Sequence, residues 1–349
     1  MILICLCRQG FEKEVAAEIT DCAAYAGIAG YVKTNADTGY VEFVLPDLDS
    51  ATALFEAIRF DDLVFVRHWF VTPAIASDLP KEDRASPLMA SAQALPPLAK
   101  LEPITLDTND GKALVALTRG VTNHMRTVFK KAGAFNAKSD WVGQVLFFSG
   151  EQACIGYFPQ SNGSLWVGGI PRLRAPKDAP SRATLKLEEA WHQFIPREQW
   201  DQRIAPSMRA VDLGAAPGGW TWQLVNKSMF VEAVDNGPMA ENIMASGQVT
   251  HRMEDAFRFA PERAVHWLVS DIADKPARVA ELITRWAENK WFKEAVFNLK
   301  LPMKKRYIEL QLCSEIITLA LDNAGIEYTL KFKQLYHDRE EVTGHLVLF

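Results

Sequence analysis

A glycine-rich turn between an apolar strand and a helix constrains the fold of this chain more than any other segment. Residues 209–222 read Arg-Ala-Val-Asp-Leu-Gly-Ala-Ala-Pro-Gly-Gly-Trp-Thr-Trp. The apolar run up to Asp212 predicts a buried strand that ends in an acid, and Gly218 and Gly219 open the next helix. Glycines let a ligand approach the backbone closely, and the first turn of a helix offers free N–H groups. The segment therefore predicts a ligand-binding turn at the edge of a sheet.

After residue 180 the chain alternates short apolar strands with longer helices, the pattern of an α/β domain with a doubly wound, mostly parallel sheet. The predicted strands are residues 210–213, 230–234, 266–270 and 294–299. Residues 171–180 hold three prolines and four charged side chains, and proline interrupts regular structure because it lacks a backbone donor. We predict a linker at 171–180 and a Rossmann-like domain at 181–349.

Two smaller α+β units are predicted before the linker. Residues 1–75 follow a β-α-β-β-α-β order, which is typical of a ferredoxin-like unit. Residues 76–170 again mix strands and helices, and the Asn162-Gly163 turn signal predicts a hairpin centred on those residues.

The charge balance limits how this chain can meet nucleic acid. With 38 Lys and Arg against 43 Asp and Glu, the formal net charge is −5 and the pI is about 5.9. That excludes a protein that coats nucleic acid by bulk charge, but not one with a local basic site. The part before residue 180 carries 17 basic and 20 acidic residues, and we predict no basic stripe there.

Neither disulfides, metals nor membranes are indicated by the sequence. Five scattered cysteines argue against a disulfide framework, and the Cys5-Leu-Cys7 pair has no second pair to complete a metal site. No apolar run approaches the roughly 18 residues of a membrane span, and the N-terminus lacks the basic start of a signal peptide. We expect a cytoplasmic monomer without a structural metal and without a membrane partner.

The composition of the turn favours S-adenosylmethionine over a dinucleotide. The dinucleotide fingerprint G-x-G-x-x-G is absent, because Gly214 is followed by Ala216 and Pro217. Proline also removes an N–H donor that a pyrophosphate needs, whereas Asp212 suits a ligand that carries a sulfonium and an ammonium group. Asp235 ends the next strand, where an acid commonly holds a ribose diol. An ordinary strand-to-helix turn is the alternative interpretation.

The turn resembles the first motif of class I methyltransferases, and this resemblance extends the candidate cofactor site. It implies that adenine lies near Asp255, after a third possible strand, and that Ala183 lies near the cofactor. Relatives are expected to carry serine at position 183 and, in some cases, cysteine at position 216. The predicted cofactor-binding residues are Ala183, Asp212, Gly214, Ala216, Pro217, Gly218, Gly219, Asp235, Asp255 and Asp271.

Four ionisable residues are predicted to meet at the reactive edge of the sheet. Asp271 and Lys300 follow predicted strands, Glu341 enters the last strand, and Lys186 lies on the helix that opens the domain. Transfer of a methyl group from a sulfonium to a sugar hydroxyl requires a base for the hydroxyl proton. A lysine can serve when a second lysine and partial burial favour its neutral form. We predict that Lys300 is the base, that Asp271 orients it, and that Glu341 pairs with one of the two lysines.

These four residues resemble the K-D-K-E tetrad of ribose 2′-O-methyltransferases in the RrmJ/FtsJ-like superfamily. The whole chain more specifically resembles the RlmM family, through residues 6–14, 180–190, 234–239, 297–307 and 334–343. The resemblance implies methylation of a cytidine ribose 2′-hydroxyl in the peptidyl-transferase region of 23S ribosomal RNA. It also implies that residues 76–170 form a THUMP unit that holds RNA.

A second candidate RNA contact is the cationic patch Lys304, Lys305 and Arg306, close after Lys300. Phosphate contact is the predicted role, and a solvated helix start is the alternative. For the N-terminal half the RNA assignment rests on the resemblance, because its acidic balance otherwise favours a dimerisation or scaffold role.

Two other functions remain open. One is an RNA base methyltransferase with the same RNA-binding module, and the other is a catalytically silent RNA-binding or ribosome assembly factor. An amino-methylating enzyme would carry Asn/Asp-Pro-Pro-Tyr/Phe where this chain has Ser270-Asp-Ile-Ala-Asp274. A C5 enzyme needs a nucleophilic cysteine at the sheet edge, and Cys313 lies in a helical stretch. The tetrad disfavours a silent factor.

Overall fold

Two compact units, Met1–Pro171 and Arg172–Phe349, make up the computed structural model, which describes all 349 residues. The boundary falls at the start of the predicted linker, and residues 171–180 contain no helix or strand. Each unit is built on its own seven-stranded sheet. No helix has the length and apolarity needed to cross a membrane, and no three potential metal-ligating side chains converge.

The N-terminal unit contains seven strands and five helices. The strands are β1 (Ile2–Leu6), β2 (Tyr31–Lys33), β3 (Tyr40–Val44), β4 (His68–Thr72), β5 (Lys100–Ile104), β6 (Trp141–Phe147) and β7 (Ala153–Pro159). The helices are α1 (Glu12–Tyr25), α2 (Leu48–Ala57), α3 (Ala85–Ala92), α4 (Asn109–Ala113) and α5 (Val115–Lys131). The strand order in the sheet is β2-β3-β1-β4-β7-β6-β5.

The first four strands have the predicted ferredoxin-like arrangement. β1 is the apolar run Ile-Leu-Ile-Cys-Leu, and it pairs antiparallel with both β3 and β4. β4 starts at His68, and a short 3-10 turn at Phe60–Asp62 precedes it. A strand buried on both faces needs two neighbours for its backbone groups, which explains why the apolar β1 lies inside this sheet.

One close backbone approach joins the predicted units 1–75 and 76–170 into a single sheet. β4 pairs with β7 through Val71 opposite Tyr157. A Cβ atom added at Gly156 would lie 2.3 Å from the Val71 carbonyl oxygen, so only glycine permits this approach.

The hairpin predicted around Asn162-Gly163 is wrong. The hairpin of this region is β6–β7, and Gln160–Asn162 is a 3-10 turn beyond it. The Asn162 side chain is used elsewhere: its Nδ2 donates to the carbonyls of Phe55 and Ile58, both at 2.8 Å, and its Oδ1 accepts the Phe60 N–H at 2.7 Å. These long-range bonds outweigh the local turn preference.

The C-terminal unit contains seven strands and six helices. The strands are β8 (Arg209–Leu213), β9 (Phe230–Val234), β10 (Val249–Arg252), β11 (Val265–Ser270), β12 (Phe292–Lys300), β13 (Tyr328–Lys333) and β14 (Glu341–Leu348). The helices are α6 (Thr184–Phe194), α7 (Trp200–Arg203), α8 (Gly219–Asn226), α9 (Glu241–Met244), α10 (Pro276–Glu288) and α11 (Arg306–Asn323).

The sheet of this unit is doubly wound, as predicted, with the order β10-β9-β8-β11-β12-β14-β13. Strands β8 to β12 are parallel, and β14 is inserted antiparallel between β12 and β13. The chain runs outward from β8 through β9 to β10 and then returns to β11 on the other side of β8. The carboxyl end of β8 is therefore the switch point at which open α/β sheets bind ligands.

Large aromatic side chains fix helix α6 on this sheet. Trp191 of α6 is fully buried and packs edge-on against Trp267 of β11, with ring centroids 6.1 Å apart. Trp220 at the start of α8 belongs to the same core cluster. Burial of each such ring contributes several kcal/mol at most, and together the rings set the position of the helix that carries Lys186.

The β4–β7 contact predicts opposite effects for two glycine substitutions. Gly156→Ala should lower the free energy of unfolding by about 2–3 kcal/mol, because its methyl group must push two backbones apart. Gly120→Ala, on α5 with no atom within 4 Å of the added Cβ, should raise it by about 0.5–1 kcal/mol through helix propensity. Urea unfolding followed by circular dichroism measures both, and equal shifts of the two variants would contradict the close approach.

Candidate active site

The glycine-rich turn packs closely against neighbouring segments at the switch point. Gly214 and Gly218 both adopt the left-handed conformation, with φ of 75° and 112°. A Cβ atom at Gly214 would lie 2.7 Å from the Ile272 side chain, and one at Gly219 would lie 2.3 Å from the Ser181 hydroxyl. Glycine is required here, and it lets α8 start close against the segment that precedes α6.

Asp235 braces the turn from the end of the neighbouring strand β9. Its Oδ2 accepts the Ala216 N–H at 3.0 Å, and its Oδ1 accepts the Gly237 N–H at 2.7 Å. Each carboxylate oxygen keeps lone-pair capacity for a further donor, such as a sugar hydroxyl. The structure therefore places the carboxylate beside the glycine turn, where the sequence predicted a ribose contact.

Asp212 is engaged inside the sheet. It is only 1% exposed, and the Thr221 hydroxyl donates to its Oδ2 at 2.6 Å. Burial raises the pKa of the Asp212 carboxyl to about 7, against the opposing effect of the Thr221 hydrogen bond. Its expected contact with a cationic ligand stays a prediction, and in the structure the side chain ties β8 to α8.

Asp255 lies farther along the chain, on an exposed turn after β10. Its Oδ1 accepts the Phe257 N–H at 2.9 Å, and Arg258 lies 3.7 Å from its Oδ2. Ala183 is the residue before α6 and has no side-chain group for a cofactor. The roles of both residues remain predictions from the resemblance.

Three of the four predicted tetrad residues form one ion cluster around Lys186. The Lys186 ammonium lies 3.2 Å from Asp271 Oδ2 and 3.0 Å from Glu341 Oε1. Burial alone would lower the pKa of Lys186, but the two carboxylates outweigh burial and raise it. Lys186 is therefore a fixed cation. The same lysine overcomes the effect of burial on Glu341 and lowers the pKa of that carboxyl.

Lys300 takes no part in these ion pairs, although it lies beside Glu341 in the sheet. It is the last residue of β12 and lies directly opposite Glu341 in the β12–β14 ladder. Its side chain is exposed and forms no ion pair. The expected Asp271–Lys300 contact is not present, because Asp271 lies between Lys186 and Asn298 instead. Glu341 pairs with Lys186, whereas the sequence left open which of the two lysines it contacts.

A buried polar chain behind the cluster was not recognised in the sequence. Asn298 Nδ2 donates to Asp271 Oδ1 at 2.8 Å, and the Thr343 hydroxyl donates to Asn298 Oδ1 at 2.7 Å. Thr343 Oγ1 also lies 3.0 Å from Asp338 Oδ2. Burial raises the pKa of Asp338 well above its ordinary value, and the Leu335 N–H donates to the same Oδ2 at 2.9 Å. The chain orients Asp271 from behind.

Helix α6 also holds the loop that delivers Glu341. Glu189 lies one turn after Lys186 on the same helix face, since residues at i and i+3 are neighbours. Its carboxylate accepts the N–H groups of Tyr336 at 2.7 Å and His337 at 3.0 Å, and it lies 2.5 Å from His337 Nδ1. One helix therefore provides both the ammonium and the anchor for the loop that carries its carboxylate partner.

The cationic patch after Lys300 divides into two kinds of side chain. Arg306 starts α11, is largely buried and pairs with Glu340 at 2.6 Å. Lys304 and Lys305 are exposed. The two lysines remain predicted phosphate contacts, whereas the Arg306 pairing places it against the loop that carries Glu341.

The buried Asp212 carboxyl predicts a pH dependence of stability. Its pKa of about 7 exceeds the unfolded value near 3.9, so the folded chain binds more protons and loses stability as pH rises from about 4 to 7. Asp212→Asn removes this pH-dependent contribution to the unfolding free energy. Relative to wild type, we expect the variant to gain about 2 kcal/mol in unfolding free energy between pH 5 and pH 7.

Urea unfolding at a series of pH values measures this difference for Asp212→Asn. Asp201→Asn, at an exposed position on α7, is the matched control and should show no such trend. A constant difference between wild type and Asp212→Asn across the pH range would contradict the raised pKa.

Comparisons with known proteins agree with this architecture. Residues 1–70 match the RlmM ferredoxin-like domain, and residues 179–343 match the FtsJ-like methyltransferase family. The ribosomal RNA large subunit methyltransferase M of Teredinibacter turnerae is 56% identical over 100% of both chains. The proteins of the same name from Cellvibrio japonicus and Pseudomonas aeruginosa are 52% and 48% identical, over 98% and 99% of this chain and 98% of each relative.

The family resemblance seen in the sequence is thereby confirmed over the full length, with the ferredoxin-like unit at the start and the methyltransferase fold after the linker. This chain belongs to the ribosomal RNA large subunit methyltransferase M family.

Proposed function

We propose that this protein methylates the ribose 2′-hydroxyl of a cytidine in the peptidyl-transferase region of 23S ribosomal RNA, with S-adenosylmethionine as cofactor. The observation that carries the proposal is the exposed Lys300 at a strand end beside a fixed Lys186–Asp271–Glu341 cluster. The resemblance of these four residues to the K-D-K-E tetrad supports the ribose 2′-hydroxyl, and the family supports ribosomal RNA. We expect this reaction to take place in the cytoplasm. We expect the protein to act as a monomer, because all four proposed catalytic residues lie in one chain.

The residues at the switch point fit S-adenosylmethionine. The left-handed glycines Gly214 and Gly218 shape the turn at the switch point, and Asp235 beside it offers acceptors for a ribose diol. The Ser270 hydroxyl at the end of β11 is buried without a hydrogen-bond partner, so it can form a hydrogen bond with a polar group of a bound ligand. When bound, this cofactor supplies an electrophilic methyl group on its sulfonium.

Lys300 would accept the proton of the 2′-hydroxyl as that oxygen bonds the methyl carbon and the bond from this carbon to the sulfonium sulfur breaks. Lys300 lies opposite Glu341 in the β12–β14 ladder, and the Glu341 oxygens are occupied by Lys186 and by the Arg339 N–H. Of the two features predicted to tune the base, the structure supplies the second lysine, Lys186, but Lys300 is exposed rather than partly buried. Lys186 keeps positive charge beside the reacting oxygen and stabilises the negative charge that develops there.

Neither alternative is favoured by a specific observation. A C5 base methyltransferase requires a reactive thiol, but Cys313 is fully buried and burial raises its pKa to about 12.

Cofactor binding is tested at Asp235. Asp235→Asn should weaken S-adenosylmethionine binding at least about tenfold, because a charged acceptor that also braces the turn is lost. Isothermal titration calorimetry on the full-length protein measures this, with Asp201→Asn as the control that should bind like wild type. Binding of NAD in place of S-adenosylmethionine by the wild type would overturn the cofactor assignment.

The base is tested at Lys300. Lys300→Arg should lower the single-turnover rate of methylation of a 23S ribosomal RNA transcript by about 10²–10⁴, because arginine stays charged and accepts no proton. Affinity for S-adenosylmethionine should stay near that of wild type. Lys293→Arg, an exposed position on the same strand, should keep full activity.

A Lys300→Arg rate within about threefold of wild type, far above the loss expected for a missing base, would remove Lys300 from this role. Mass spectrometry of the product identifies the methylated atom, and a methyl group on the base would favour the base methyltransferase instead.

A further inference from the structure

A continuous basic segment in the N-terminal unit contradicts the prediction that this half has no basic stripe. Residues 111–139 contain no Asp or Glu, and their six basic residues are Lys112, Arg119, Arg126, Lys130, Lys131 and Lys138. The charge balance of the first 180 residues does not reveal this segment, because acidic residues outnumber basic residues in the rest of that half. Helix α1 shows the contrast, with four acids and one lysine in 14 residues.

Helix α5 gathers part of this charge on one face. Arg119, Asn123, Arg126 and Lys130 are spaced at i, i+4, i+7 and i+11, which places them along one side of the helix over about 16 Å. The buried face of the same helix is formed by Thr118, Thr122 and Met125. We call the four-residue row the α5 basic face.

The cations of the α5 basic face are available for a ligand. Arg119 and Lys130 are exposed and form no ion pair. Arg126 is fixed in place, since its Nε donates to the Leu101 carbonyl at 2.5 Å and its Nη1 donates to Asn123 Oδ1 at 3.0 Å. A row of fixed and free cations at one-turn spacing suits a linear polyanion.

A cavity of about 540 Å³ adjoins the α5 basic face, between α5 and the edge strand β5. Arg126 and Lys130 line it together with the apolar side chains of Leu101 and Phe135. Its one acid, Glu102, is neutralised by Lys100 at 2.8 Å. A cavity of this size accepts a group as large as a nucleotide, since small-molecule sites span roughly 300–1,000 Å³.

We propose that the α5 basic face binds backbone phosphates of the substrate RNA and that the adjoining cavity receives one unstacked nucleotide. The inference rests on the proposed function and names the surface by which the N-terminal unit contributes RNA affinity. A protein partner fits less well, because lysine is depleted at protein interfaces and Val128 is the only large apolar side chain exposed on α5.

The test uses full-length protein and a 23S ribosomal RNA transcript made in vitro. Arg119→Glu combined with Lys130→Glu should weaken binding at least about tenfold and reduce the slope of log affinity against log salt by about two, one for each lost phosphate contact. Lys13→Glu combined with Lys81→Glu changes the net charge equally at two other exposed sites of the unit and should bind within about twofold of wild type.

A separate substitution tests whether the cavity receives a nucleotide. Ala99→Phe fills the space without changing charge, and it should weaken RNA binding about three- to tenfold with an unchanged salt slope. Unchanged affinity of this variant would overturn the nucleotide site. If any charge-reversal variant unfolds early by circular dichroism, the neutral pair Arg119→Gln and Lys130→Gln gives the same comparison.

The outcomes separate this proposal from the proposed function. Wild-type protein that binds S-adenosylmethionine but not the transcript would overturn the proposed function itself. Wild-type binding that survives the α5 reversal, or that falls equally in the control pair, would overturn the α5 basic face and leave ribosomal RNA methylation standing.

Discussion

The ammonium of Lys186 is the interaction on which the candidate active site depends. It joins a helix at the start of the C-terminal unit to the end of β11 through Asp271 and to the start of β14 through Glu341. Loss of this largely buried cation would leave both carboxylates without their common counter-ion. The packing of Trp191 on the sheet fixes the backbone from which this side chain extends.

The same arrangement separates the two lysines by function. Lys186 is committed to its carboxylates and serves as fixed charge, whereas Lys300 ends the neighbouring ladder without such a commitment. Similar residue types therefore take different roles because the β12–β14 register places Glu341 between them. The Asn298–Thr343–Asp338 chain reinforces that difference by holding Asp271 toward Lys186.

Local sequence patterns predicted the parallel sheet well, because strands buried on both faces are continuous apolar runs and the glycine turn directly follows one of them. The positions of Asp271, Lys300 and Glu341 at strand ends followed from the same logic. Their pairing did not, since it depends on an antiparallel register between segments about 40 residues apart. The role of Asn298 could not be predicted from local patterns either, because its partner Asp271 lies 27 residues away in the chain.

Two predictions for the N-terminal unit were wrong: the absence of a basic stripe and the hairpin at Asn162-Gly163. The first relied on an averaged net charge and the second on a local turn preference. Net charge over 180 residues concealed a segment without acids, which becomes a face only when the helical period of α5 is applied. The Asn162-Gly163 pair has a strong local turn preference, but the asparagine side chain forms tertiary hydrogen bonds with the end of α2 and the residue after it instead.

That use of Asn162 also has a consequence for synthesis. The Phe60 N–H finds its acceptor 102 residues later in the chain. At a translation rate of about 5–20 residues per second, the segment after α2 waits roughly 5–20 seconds for this partner. The first ferredoxin-like strands can pair on the ribosome before then, but the connection from α2 to β4 gains its final anchor only after β7 has emerged.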